Sequence, residues 1–359
     1  MIEQEQNLLL LGLQDRLGVE WKHINAAFQE ADVAQRKIER YLGEFKIPPD
    51  TGLLIFGSLA RKEWTSRSDV DWTLLIDGPA DPDHMSVAQQ IEKLLDGAGL
   101  IKPGPTGIFG GMTFSHDLVH HIGGENDTNK NTTRRILLLL ESCSIGSSLI
   151  GKKDDVRDKV LRSIIYRYLE DDMSRITSKA DRSRVPRFLL NDIVRFWRTM
   201  AVDYASKRWE RGDKEWALRN LKLRFSRKLI FVAGLLVCFG AKSSRLYTSP
   251  VDAQPETRVK HLLSILDSPP ISILAHAAST YCEDNTIKEM FSAYDAFLGI
   301  LDCKEKREHL EKLPTDEAQT DKLFGQVQEI SRQFQKSLTT LFFIDNDELK
   351  EFAMEYGLF

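Results

Sequence analysis

The chain has 359 residues, 42% of them hydrophobic, with a formal net charge of −4 and a sequence pI near 6.1. That length predicts two domains rather than one core. The charge excludes a global nucleic-acid-binding footprint, although it leaves room for a local basic face.

The N-terminal run MIEQEQNLLLLGLQDRLG places acidic residues before its apolar stretch and shows no small-residue cleavage pattern, so it does not read as a secretory signal. Residues from about Asn7 to Phe45, rich in helix formers with apolar residues at mixed three and four spacings, predict one or two helices. Pro48, Pro49 and Gly52 stop that segment and turn the chain into a first strand. The stretch LLIFGSLARKEWTSRSDVDWTLLI, Leu53 to Ile76, reads as strand, Gly-Ser turn, short helix and second strand. A loop, DGPADPDH, and a helix from about Met85 to Gly97 follow, then a Gly- and Pro-rich loop from Pro103 to Gly111. A third strand is predicted over Met112 to Ile122, with Asp117 on its more polar face. The polar loop GGENDTNKN then leads to Thr132 or Thr133 as the cap of a helix.

From there the pattern is almost wholly helical: Val156 to Arg175, Pro186 to Lys207, Lys214 to Gly240, Ala318 to Phe343 and Asn346 to Tyr356, with prolines at 250, 255, 269 and 270 marking shorter helices. The apolar run Leu229 to Gly240 is too short to span a bilayer. No membrane association and a cytoplasmic location are therefore expected. Cys143, Cys238, Cys282 and Cys303 have no paired spacing, which suggests reduced thiols rather than zinc ligands or disulfides. The fold class expected is α+β: a small mixed sheet flanked by helices over residues 1–150, then an all-α domain over 151–359.

Chemistry concentrates in Leu53 to Ile76. Asp69 and Asp71 are two apart, and strand alternation turns both to one face while Val70, Trp72, Leu74 and Ile76 take the other. Magnesium prefers one or two carboxylates plus substrate phosphates and water. A metal pair that clamps both the attacking and leaving oxygens calls for a third carboxylate, for which Asp117 is the candidate. At the turn, Gly57 lets backbone approach a phosphate and Ser58 adds a hydroxyl donor.

This arrangement resembles the DNA polymerase β-like nucleotidyltransferase superfamily. Gly57-Ser58 followed at this distance by Asp69 and Asp71, with Arg61 and Glu63 after the turn and TRRILLLLES after the third strand, is most similar to one bacterial branch. That branch holds signal-protein uridylyltransferases and related uncharacterised nucleotidyltransferases. The motif covers about 25 residues and a weaker similarity about 180. The resemblance implies a short mixed sheet, two aspartates binding Mg2+ (with Mn2+ as a substitute), and transfer of a nucleoside monophosphate from a triphosphate such as ATP with release of pyrophosphate. Gly57, Ser58 and Arg61 would then contact the nucleotide. Trp72 departs from relatives that carry a small aliphatic after the second aspartate, and Asp117 is fixed by strand order and face rather than by a motif.

Other cations and histidines admit two readings each. His116, His120 and His121 with Asp117 could form a metal cluster, but a strand would split them between two faces. Arg134 and Arg135 could be solvated, salt-bridged, or near a phosphate. In WALRNLKLRFSRKL, Arg219, Lys222 and Ser226 share one helix face, with Lys222 the first choice to neutralise a triphosphate; Arg224, Arg227 and Lys228 fall on other faces. Asn191, Arg195 and Arg198 could read the base or acceptor. The acceptor itself stays open: a protein hydroxyl, a small molecule, an RNA end or a second nucleotide. The rival expectation is a regulatory or defence-associated module that binds nucleotide without turnover. Oligomeric state is not legible.

Overall fold

In the computed structural model, which describes residues 2–43, 45, 47–104, 108–145, 155–173, 185–210, 213–243, 245–247 and 255–357, apolar periodicity becomes element by element a small sheet and a large set of helices. In chain order the first elements are α1 (Ile2–Leu17), α2 (Lys22–Leu42), β1 (Thr51–Phe56), α3 (Gly57–Ala60), β2 (Asp71–Ile76) and α4 (Asp83–Gly97). They are followed by β3 (Gly111–Phe114), α5 (Ser115–Val119), α6 (Asn129–Leu140), β4 (Ser142–Ser144) and α7 (Val156–Met173). The remainder is helical: α8 (Arg187–Glu210), α9 (Trp216–Lys222), a π-helical turn over Leu223–Arg227, α10 (Lys228–Gly240), α11 (Pro255–Leu266) and α12 (Pro270–Tyr281). Last come α13 (Asp284–Asp302), α14 (Lys304–Lys312), α15 (Lys322–Phe343) and α16 (Asp347–Gly357). Both α11 and α12 begin on proline, whose missing N–H costs nothing in a first turn.

The chain divides into two units that do not follow a single cut. A helical unit comprises Met1–Ala26, Ser183–Val251 and Pro270–Phe359; a sheet unit comprises Ala27–Arg182 and Asp252–Pro269. The expected boundary near residue 150, the end of the predicted Val156 to Arg175 helix, Pro250, and residues 105–107 of the Gly/Pro loop fall outside the described residues. Among the described residues, no helix is long and apolar enough to cross a membrane.

In the sheet unit the four strands run in the order β3-β2-β1-β4. β1 pairs antiparallel with β2, Phe56 facing Asp71, and with β4, while β2 pairs parallel with β3. One sheet face buries Leu53, Ile55, Trp72, Leu74 and Ile76 against Ala31, Ala34 and Ile38 of α2 and Val87, Ile91 and Leu95 of α4. The predicted apolar face of β2 is thus present, and Val70 joins it. The opposite face is also covered: Leu54, Thr73 and Leu75 are buried.

Three local expectations are corrected. The third strand ends at Phe114, and Ser115–Val119 is a helical turn, so Asp117 is not on a strand. Leu118, Val119 and Ile122 are all buried, a spacing of one, three and four that suits a helix and not a strand. The cap of α6 is Thr128, whose hydroxyl accepts from Asn131 N at 3.2 Å, while Thr132 and Thr133 are buried inside the helix. A fourth strand, Ser142–Ser144, forms where the apolar helix ends; at three residues it carries too little alternation to be read from sequence.

Candidate functional site

The turn after β1 depends on Gly57. Its φ is +71°, a region open to glycine at no steric cost, and it opens the four-residue helix α3. A Cβ at this position would lie 2.7 Å from Asp71 Oδ2. The backbone of the Gly-Ser turn therefore rests against the carboxylate that begins β2, an approach that a side chain would block. Ser58 stands beside it, half-buried, its carbonyl accepting from Glu63 N at 2.8 Å.

Asp71 is the first residue of β2, and Asp69 precedes it in a parallel bridge to Ile101, with Val70 N donating to Ile101 O at 2.9 Å. The backbone is thus extended across both aspartates. With Val70 and Trp72 buried in the core, the two carboxylates take the other face and are half-buried. The connecting loop is held by Thr65 and Ser68, whose side chains are 3.1 Å apart, with Thr65 N donating to Ser68 Oγ at 3.1 Å.

Arg61 does not face this site as a solvated cation. It is buried, donating from Nε and Nη2 to Glu63 Oε2 at 3.0 and 2.9 Å and from Nη1 to Glu141, both carboxylates themselves buried. Because Glu141 directly precedes β4, the cluster ties the residues after α3 to the edge of the sheet. The cluster holds the turn in place, with Arg61, expected at the nucleotide, buried among these carboxylates.

Asp117 lies apart from the pair. On α5 its half-exposed carboxylate is 3.8 Å from His121 Nδ1, and its charge acts on Arg134. The same helical turn gathers the three histidines that a strand would have separated: the His116 ring is 4.8 Å from that of His120 and 5.4 Å from that of His121. Even so, among the described residues no group of three or more His, Cys, Asp or Glu is placed to hold a metal ion.

The adjacent arginines of α6 go to different places, as helix geometry requires of neighbours. Arg135 is fully buried, bonded to both Asp127 oxygens at 3.1 and 2.7 Å and to Tyr168 Oη at 2.6 Å. Arg134 lines a small cavity on the Asp71 side of the sheet together with Phe56, Thr73, Leu75, Phe109 and Leu118. Its Nη2 donates to Ile108 O at 3.3 Å, and burial holds its guanidinium below the ordinary value, opposed by the charge of Asp117. Phe109 packs on Phe56 with ring centroids 5.1 Å apart. Sequence periodicity could have assigned Arg135 to the core, since it lies between the buried Thr132 and Leu139 at three and four.

Lys222 ends α9 in the helical unit. Asn191, Arg195 and Arg198 lie on α8 of that same unit, Asn191 and Arg198 exposed. No known protein family and no curated protein matches this chain.

Proposed function

We propose that the protein is a magnesium-dependent nucleotidyltransferase, moving a nucleoside monophosphate from a nucleoside triphosphate to a hydroxyl acceptor with release of pyrophosphate, on a polymerase β-like nucleotidyltransferase fold. The observation that carries this reading is the close approach of Gly57 to Asp71 Oδ2, a side-chain-free turn against the carboxylate that begins β2. The donor set suits Mg2+, or Mn2+ in its place, because such ions take one or two carboxylates and complete their shell with phosphate oxygens and water. Asp69 and Asp71 would hold the ion, whose contribution when bound is to neutralise and orient the phosphate oxygens.

The chain's own groups supply the rest. Ser58 Oγ donates to a phosphate oxygen, and Gly57 leaves room for it. The acceptor oxygen bonds to the α-phosphorus as the bond to pyrophosphate breaks, and its proton passes to water or to one of the paired carboxylates. Asp117 follows Phe114, which pairs with Ile76 at the opposite end of β2 from Asp71, so it is not assigned to this step. Phe56 and Phe109 wall the same face with apolar surface.

The variant Asp69→Asn with Asp71→Asn is expected to lose metal-dependent pyrophosphate release by about a thousandfold or more while keeping the wild-type circular dichroism spectrum. Undiminished turnover would overturn the assignment. Triphosphate binding by calorimetry without pyrophosphate release, across protein, small-molecule, RNA and nucleotide acceptors, would instead favour the module without turnover.

A further inference from the structure

From Trp216 to Val251 the sequence contains no acidic residue, although the chain as a whole is acidic. Five cations, Arg219, Lys222, Arg224, Arg227 and Lys228, fall in the first thirteen positions of that segment, and all five are half-buried. Their backbone is not a plain helix: the π-helical turn Leu223–Arg227 interrupts it. A π turn is rare and occurs mostly as a single turn inside an α-helix. At its centre Phe225 is fully buried and stacked on Phe297 at 4.6 Å and on Phe334 at 5.2 Å.

This anchoring directs two of the cations at one neighbour. Arg224 Nη1 donates to Ser331 Oγ at 3.4 Å, and Lys228 Nζ donates to Gln335 Oε1 at 2.7 Å. Ser331 and Gln335 are one turn apart on α15, so the two cations are held over successive turns of the same helix. Both acceptors are neutral, and among the described residues neither cation is ion-paired. Arg224 is the charged group that acts on Lys228. Glu329 of α15 is paired with the exposed Arg332. Burial and the charge of Arg224 together push the Lys228 amine down to about 8.

We propose that Arg224 and Lys228, braced by Ser331 and Gln335, form a binding site for a phosphate group on the helical unit. A phosphate seated between the two cations accepts from both, relieves their repulsion and takes the fork of one and the point charge of the other. The site stands on its own residues and does not require the sheet unit to turn nucleotide over.

Calorimetry of the full chain with inorganic tripolyphosphate, at low salt and without divalent metal, tests it. Saturable binding is expected near pH 7, weakened about tenfold or more by Arg224→Gln and by Lys228→Gln. Wild-type affinity should fall as pH rises from about 7 to about 9, because Lys228 loses its proton in that range, while Lys228→Arg should hold its affinity there. Asp69→Asn with Asp71→Asn should bind tripolyphosphate as wild type does, so loss of the nucleotidyltransferase reading would leave this result intact. Displacement of tripolyphosphate by ATP would identify the phosphate as a nucleotide's, and failure of ATP to displace it would assign the site to a phosphate of the acceptor; both support the site. Absence of wild-type binding, undiminished wild-type affinity in both Gln variants, or the same pH profile in Lys228→Arg as in wild type would overturn it. Should Lys228→Gln fail to fold, the comparison of wild type with Lys228→Arg decides alone.

Discussion

At the scale of the residue, the candidate site turns on Gly57. Two independent constraints meet there: a backbone in the left-handed region and a carboxylate oxygen where a Cβ would lie. Gly57→Ala is expected to cost about 1–2 kcal/mol from the backbone alone, with the displaced Asp71 adding to it. The shift in urea midpoint reads this directly, and a change within about 0.5 kcal/mol would show that the turn relaxes freely. The Gly-Ser pair and the aspartate pair were legible in sequence because their spacing and alternation are local. Arg61 was not, because its carboxylate Glu141 lies 80 residues away. A buried arginine with two carboxylates looks in sequence like any cation after a turn.

Among the elements, α5 and α6 show what local patterning leaves undecided. Ser115–Val119 follows β3 without a break, and over so few residues a period of two and a period of 3.6 fit the same letters. Packing selects the helix, because Leu118, Val119 and Ile122 are all buried. Asp117 and three histidines change place with it. On α6, Arg135→Met would leave Asp127 without its bidentate partner in the interior. The expected loss is about 3–5 kcal/mol, read from chemical denaturation. Retention of wild-type stability would mean that water or rearrangement takes over the pairing. The helix predicted from Lys214 to Gly240 exists in outline, but its π turn alters the phase of every side chain beyond Lys222. Arg224 and Lys228, four apart and assigned to other faces than Lys222, both reach α15.

On the scale of the whole molecule, the chain is a mixed α and β protein with one small four-stranded mixed sheet and flanking helices, as the α+β expectation had it. The division of the chain into two units differs from a single cut near residue 150. Residues 252–269 join the sheet unit from a distance, with Val259, Leu262, Ile265 and Leu266 of α11 buried where α11 packs on α7. A fragment of residues 27–182 is therefore expected to be less stable, by at least ~3 kcal/mol, than the same fragment with residues 252–269 joined to its C-terminus. Equal urea midpoints for the two would show that α11 is dispensable. The sequence by itself determined the strand pair, the Gly-Ser turn, the two aspartates and most of the long helices, because each is set by neighbours within one or two turns of chain. Only the tertiary structure decided that Arg61 is held by buried carboxylates, that Asp117 stands on a helical turn, and that α1 and α11 join units remote from them in sequence. Those outcomes depend on which apolar faces and charges meet across long separations, and no local period records that.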